Sequence, residues 1–305
     1  MLIYLLILVI IILLYKHINN LKVESFETNN KCAFCIPLHP KHFKFGYDIL
    51  KQLKVSDADL YFIFTTKEEE REFKNNIPNN DLLYYKTLVL DNFTQSKKLN
   101  KNKSWVSVKK LYALSVLHNE YKYISCIDSE VMFINTTNFY NIMNDIANNN
   151  QIIGGNITKS TNKNYHKIIK SSLTDIVPQN DIEELKRLSH NYSIYTWWSN
   201  LPVYDCSKAS AFLDWIQFNN TDFLDKINWF VFDDLLYNYF LILKYNFKLV
   251  IIPELESSLE YGDHNIIQNV NENICKIYWV NYSIYKENKE YYDKSNFALA
   301  YHLDR

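Results

Sequence analysis

Apolar and polar positions follow two rhythms along this chain. Short apolar runs of strand length recur, and between them lie longer segments whose apolar residues return at helical spacing. Ala33 to Leu38 is an apolar run stopped by Pro37 and Pro40, which predicts a strand entering a loop. Tyr47 to Leu53 carries Ile49, Leu50 and Leu53 at helical spacing. Leu60 to Phe64 predicts a second strand, and Thr65-Thr66 before Lys67-Glu68-Glu69-Glu70-Arg71 predicts a charged helix with a threonine cap. Leu88-Val89-Leu90 is a short third strand. Trp105 to Leu117 is a helix with Val108, Leu111, Tyr112 and Val116 on its apolar face. It feeds the apolar run Tyr121 to Ile127, and a second run, Val131 to Ile134, follows at once.

The second half continues the alternation. Asn138 to Asn148 predicts a helix, and Ile152-Ile153 a short strand with Gly154-Gly155 after it. Asp205 or Ser207 caps a helix with Ala209, Phe212, Leu213 and Ile216 on one face. Phe232, Leu235, Leu236, Tyr239 and Leu243 define a further helix, with Asp233 and Asp234 in its first turn, where the helix dipole favours carboxylates. Lys248 to Ile252 is a strand closed by Pro253. Strands alternating with helices predict an α/β fold with a mostly parallel central sheet and helices on both faces. In such sheets ligands bind beyond the carboxyl ends of the strands.

The N-terminus breaks this pattern. Met1 to Tyr15 is apolar without interruption and Lys16-His17 ends the run. As a helix it would span ~22 Å, between a signal sequence and a full crossing of a ~30 Å hydrocarbon core. With no basic residue before it and no small-residue cleavage site after it, the run reads as a single-pass membrane anchor over 1–17, followed by a polar linker over 18–31 and one catalytic domain over 32–305. Lys16 and Lys22 favour a cytoplasmic domain, so the side of the membrane stays open.

Composition narrows the chemistry. A length of 305 residues with 48% hydrophobic content supports a large core and excludes global disorder. A net charge of -1 argues against a nucleic-acid partner. Only Gly46, Gly154, Gly155 and Gly262 occur, so no glycine-rich phosphate loop can be built. Cys32 and Cys35 have the C-x-x-C spacing, with His39 and His42 behind them, but they lie in a strand-like run and read as buried thiols. Tyr192 to Trp198 is aromatic, and Trp197 and Trp198 suit either stacking on a sugar ring or core packing.

The chemical signal is Asp128-Ser129-Glu130, at the point where one strand ends and the next begins. Residues i and i+2 of a strand share a face, so the two carboxylates would lie on one side, as hard oxygen ligands for a divalent cation that keeps positions open for phosphate. A polar turn is the plain alternative.

Four blocks together resemble a glycosyltransferase of the GT-A fold: the strand end Cys35-Ile36-Pro37, the helix Trp105 to Leu114, the block Tyr121 to Ile134 with its acidic triplet, and Phe232-Asp233-Asp234-Leu235-Leu236, with Tyr301-His302 near the end as a fifth match. The match is scattered over Cys32 to Arg305, and Glu130 stands where the family's Asp-x-Asp motif has aspartate. The resemblance implies transfer of a hexosyl group from a UDP- or GDP-linked sugar to a hydroxyl of a carbohydrate-bearing acceptor. It implies Mn²⁺ or Mg²⁺ held by Asp128, Glu130 and His302, and Asp234, with Asp233 as alternate, as the base. It further implies donor contacts from Asp128, Ser129, Glu130, Lys110, Pro37, Gly154 and Gly155, and acceptor contacts from Trp197 and Trp198. A nucleotidyltransferase and a non-catalytic carbohydrate-binding membrane protein of the same fold are the alternatives. The first would need the phosphate loop this chain lacks.

Overall fold

The computed structural model of the protein describes residues 31–53, 56–90, 105–196, 201–252 and 264–303. The expected anchor over 1–17 and the acceptor pair Trp197 and Trp198 lie outside the described residues, as does the expected linker apart from Lys31. Among the described residues no helix is long and apolar enough to cross a membrane.

The first half runs β1 (Cys32–Pro37), α1 (Phe43–Leu53), β2 (Ala58–Phe64), α2 (Lys67–Asn75), β3 (Lys86–Val89), α3 (Trp105–Leu117), β4 (Tyr123–Cys126), β5 (Val131–Phe133) and α4 (Phe139–Asn148). The second half runs β6 (Gln151–Asn156), α5 (Lys163–Thr174), α6 (Gln179–Leu188), β7 (Ile194–Tyr195), β8 (Val203–Asp205), α7 (Cys206–Trp215), α8 (Thr221–Lys226), α9 (Asp233–Tyr245) and β9 (Lys248–Ile252). The chain closes with α10 (His264–Asn273), β10 (Trp279–Asn281), α11 (Tyr282–Glu287), α12 (Lys289–Lys294) and β11 (Leu299–Tyr301).

The central sheet has the order β3-β2-β1-β4-β8. β1, β2, β3 and β4 pair in parallel, and β8 closes one edge antiparallel to β4. The sheet is therefore mostly parallel, as the alternation predicts. Every residue of β1 is buried, because helices cover both faces. Phe34 meets Phe133 and Phe139 edge-on, at 5.1 and 4.8 Å, on the α4 side. Its neighbour Cys35 is the register partner of Cys126, whose thiol donates to the Lys110 carbonyl of α3 at 3.7 Å. The thiols of Cys32, Cys35 and Cys126 are buried and free, and burial, with Asp57 and Asp59 nearby, pushes Cys32 up to about 12.

Local signals behave as their chemistry requires. Thr66 accepts from Glu69 N at 3.3 Å and caps α2. Asp205 accepts from Ser207 N at 3.0 Å and starts α7.

Val131 to Phe133 forms β5, which lies outside the central sheet and joins β10-β11-β5, pairing antiparallel with β11. One expectation needs correction. Gly154 and Gly155 do not follow a strand but lie inside β6, in the sheet β7-β6-β9. A Cβ on Gly154 would stand 2.3 Å from Ile194 Cγ2 and 3.1 Å from Leu249 Cδ1, so the side chains of the flanking strands occupy that space.

Candidate active site

β1 sits at the centre of the sheet, and the chain turns back past it to lay down β4 on its other side. The crevice beyond the carboxyl ends of β1 and β4 is thus the switch point where an open sheet offers a ligand site. Ile127 N still donates to Cys35 O at 3.2 Å, so β4 is held to β1 up to the residue before Asp128. Asp128, Ser129 and Glu130 then form the connection between β4 and β5. The strand rule for residues i and i+2 does not apply to them, because none is in a strand. Their two carboxylates face different partners while lining the same cleft.

Asp128 Oδ1 is 2.9 Å from Lys110 Nζ. The Asp128 side chain is half open to solvent yet closely surrounded by protein: lost hydration works against its charge, the Lys110 ammonium outweighs that, and the carboxyl stays below its ordinary value. Ser129 is buried, and its Oγ lies 2.9 Å from His42 Nδ1. Glu130 Oε1 lies 2.7 Å from the same nitrogen.

Lys110 is the hub. Solvated lysines are the common outcome on a helix, but α3 is enclosed and both Lys109 and Lys110 are buried. Burial alone would lower the Lys110 pKa, but Asp128, then Asp233 and Asp234, hold it above the ordinary lysine value. Lys110 Nζ is 3.9 Å from Asp233 Oδ1. Lys109 points elsewhere: its ammonium donates to Leu38 O at 2.5 Å, and burial lowers it to about 8 against the pull of Glu69.

Asp233 and Asp234 open α9 without a side-chain cap. The lead-in is pinned from two neighbours instead. Ser107 of α3 donates to Val231 O at 2.8 Å, while Ser172 of α5 donates to Phe230 O at 3.2 Å and accepts from Phe232 N at 3.3 Å. Asp233 is buried and accepts from the Tyr204 hydroxyl at 2.6 Å. Burial raises Asp233, with Lys110 and Tyr204 opposing. Burial first, and the charge of Asp233 next, push Asp234 up to about 8.

His302 arrives through sheet register. β11 runs antiparallel to β5 with Tyr301 opposite Val131, and Leu303 N donates to Glu130 O at 3.2 Å. The backbone turns at His302 in the left-handed region, φ 65°, and the ring packs edge-on against Tyr301 at 4.6 Å. Asp128, Glu130, Lys110, Asp234 and His302 line one cleft with Pro202 and Trp279. A second cleft, running along α9 past Asn238 and Gln151, shares Asp234 and Pro202 with it. Neither cleft is lined by Pro37, which ends β1 opposite Ile63, nor by Gly154 and Gly155.

A divalent cation fits this cleft in donor type: two carboxylates and an imidazole. Three carboxylates, Asp128, Asp233 and Asp234, also share one buried ammonium, so a diphosphate entering here would meet surplus negative charge without a further cation. Among the described residues, no group of three or more His, Cys, Asp or Glu side chains is disposed to hold a metal. Asp128 engages Lys110 and Glu130 engages His42 instead.

His42 and Tyr204 escaped the sequence reading as site residues. His42 is 87 positions from Ser129 and Tyr204 is 29 from Asp233, and no local pattern joins such pairs.

The fold and site together define a mixed α/β protein with an acidic, lysine-centred cleft at the carboxyl edge of its sheet. No protein-family model and no curated protein matches the chain. Among solved structures, an active-site mutant of LgtC is similar over 88% of this chain and 86% of its own, at 8% identity and a TM-score of 0.41.

Proposed function

We propose that the protein is a GT-A-like glycosyltransferase that moves a sugar from a UDP- or GDP-linked donor to a hydroxyl of a carbohydrate-bearing acceptor. The observation that carries the reading is Lys110, a buried ammonium 2.9 Å from Asp128 and 3.9 Å from Asp233. It joins the acids at the strand end to those at the helix start around one cleft.

Asp128, Glu130 and His302 would hold Mn²⁺ or Mg²⁺, which when bound supplies positive charge opposite the leaving diphosphate. Lys110 contributes a second, fixed charge on the same side. Asp234, raised to about 8, suits the uptake of a proton from an acceptor hydroxyl near neutral pH. It lies where the two clefts meet, within reach of a group on either side. Trp197 and Trp198 remain the proposed acceptor platform, and Met1 to Tyr15 the proposed anchor.

Thermal shift with UDP and GDP tests this, with and without Mn²⁺. Wild-type protein gains several degrees only with nucleotide and metal together, and Asp128→Ala abolishes the gain. A wild-type melting curve indifferent to both nucleotides, with no hydrolysis across a panel of nucleotide sugars, would overturn the reading.

A further inference from the structure

Tyr204 lies on β8 opposite Ile124 of β4, only 1% exposed. Its ring packs on Tyr237 and Phe212, with centroids 4.7 and 6.0 Å away. A phenylalanine would fill that space equally well. The hydroxyl does something a phenylalanine would not, because it donates to Asp233 Oδ2 at 2.6 Å, on the carboxylate whose Oδ1 faces Lys110. Buried tyrosine hydroxyls require partners, and here the partner is one member of a carboxylate pair. The groups facing Asp233 are Lys110 from α3, Tyr204 from β8, Cys126 from β4, Asp128 from the β4–β5 connection and Asp234 beside it.

We infer that Tyr204 is a positioning residue of this site: its hydroxyl keeps Asp233 ionised toward Lys110 and leaves the exchangeable proton of the pair on Asp234. Two neighbouring carboxyls, one buried and one half-buried, do not ionise independently, and whichever is better solvated by donors keeps the charge. Tyr204 supplies that donor to Asp233. Burial first, and then the charge retained on Asp233, raise Asp234, the group facing both clefts. The use of Asp234 as an acceptor base rests on the glycosyl-transfer reading, but the division of charge within the pair does not.

Tyr204→Phe tests the assignment in the full chain, because it keeps the ring and removes one hydrogen bond. Aspartate carboxyls labelled with carbon-13 are titrated without substrate. The Asp233 midpoint should rise and the Asp234 midpoint fall, by about one pH unit each, the worth of a hydrogen bond to a charged group. The acid limb of the transfer rate should move to lower pH with Asp234. Asp233→Asn removes the charge by another route and should lower Asp234 similarly, and adding Tyr204→Phe to it should move Asp234 no further. Midpoints unchanged in Tyr204→Phe, or a full extra shift in the double variant, would overturn the inference. Should Tyr204→Phe not fold, an Asp234 midpoint unmoved by Asp233→Asn overturns it alone. A wild-type protein that consumes no donor defeats the glycosyl-transfer reading and leaves these titrations intact.

Discussion

Removing an ammonium from water costs several kcal/mol unless carboxylates replace the solvent around it. Lys110 satisfies that condition with Asp128 at 2.9 Å and Asp233 at 3.9 Å, and the dependence is mutual, since the same three acids would repel one another without it. Lys110→Met should therefore destabilise the protein by about 3–5 kcal/mol at pH 7, measured by urea unfolding. The loss should grow at pH 9. Asp234 has a folded-state value raised to about 8, so it is largely protonated at pH 7 and ionises by pH 9, leaving more uncompensated charge there. At this scale the sequence was informative about residue type and silent about partnership. Asp128, Glu130 and Asp234 stood out as acids at element boundaries, but the tyrosine and the histidine that touch their neighbours could not be assigned, because hydrogen bonds across 29 and 87 residues depend on the finished fold.

Elements were read most reliably where a long segment carried a consistent period. Trp105 to Leu117 is a helix over the expected span, although Val116 of its expected apolar face is exposed and its buried residues lie on every side, and Lys248 to Ile252 is a strand between clear boundaries. β10 and β11 went unseen: three residues carry no period, and both strands exist because a partner strand lies beside them. Gly154 shows the same dependence on neighbouring strands. Its place suggested an approach to a ligand, whereas Ile194 and Leu249 fill the space where its side chain would be. Gly154→Ala should lower stability by about 1–3 kcal/mol through overpacking, seen as a lower melting temperature. Nucleotide binding, measured on the folded variant, should stay at the wild-type level. A variant that melts normally but binds nucleotide poorly would instead return Gly154 to the donor site.

Across the whole molecule, the candidate site is assembled by returns of the chain. α3 brings Lys110, the β4–β5 connection brings Asp128 and Glu130, the start of α9 brings Asp233 and Asp234, and β11 delivers His302. The last step relies on only three register pairs with β5. His302→Ala should leave unfolding stability within about 0.5 kcal/mol of wild type, as for a side chain outside the core. The same variant should lose most of the Mn²⁺-dependent thermal shift with UDP or GDP. A chain ended at Ala298 should lose both, because β5 and β10 then lack their common partner. If His302→Ala keeps the full metal-dependent shift, the histidine is not part of the cation site.

What the amino-acid order determined by itself was the alternation of strands and helices, the mostly parallel central sheet, and an acidic triplet at a strand's carboxyl end. These follow from side-chain periodicity and backbone chemistry, which act over a few residues. Which acids share a cleft, which lysine they surround, and which glycine is filled by a neighbour were decided only by tertiary packing. Those contacts join residues dozens of positions apart, and burial then alters the charge and role of each.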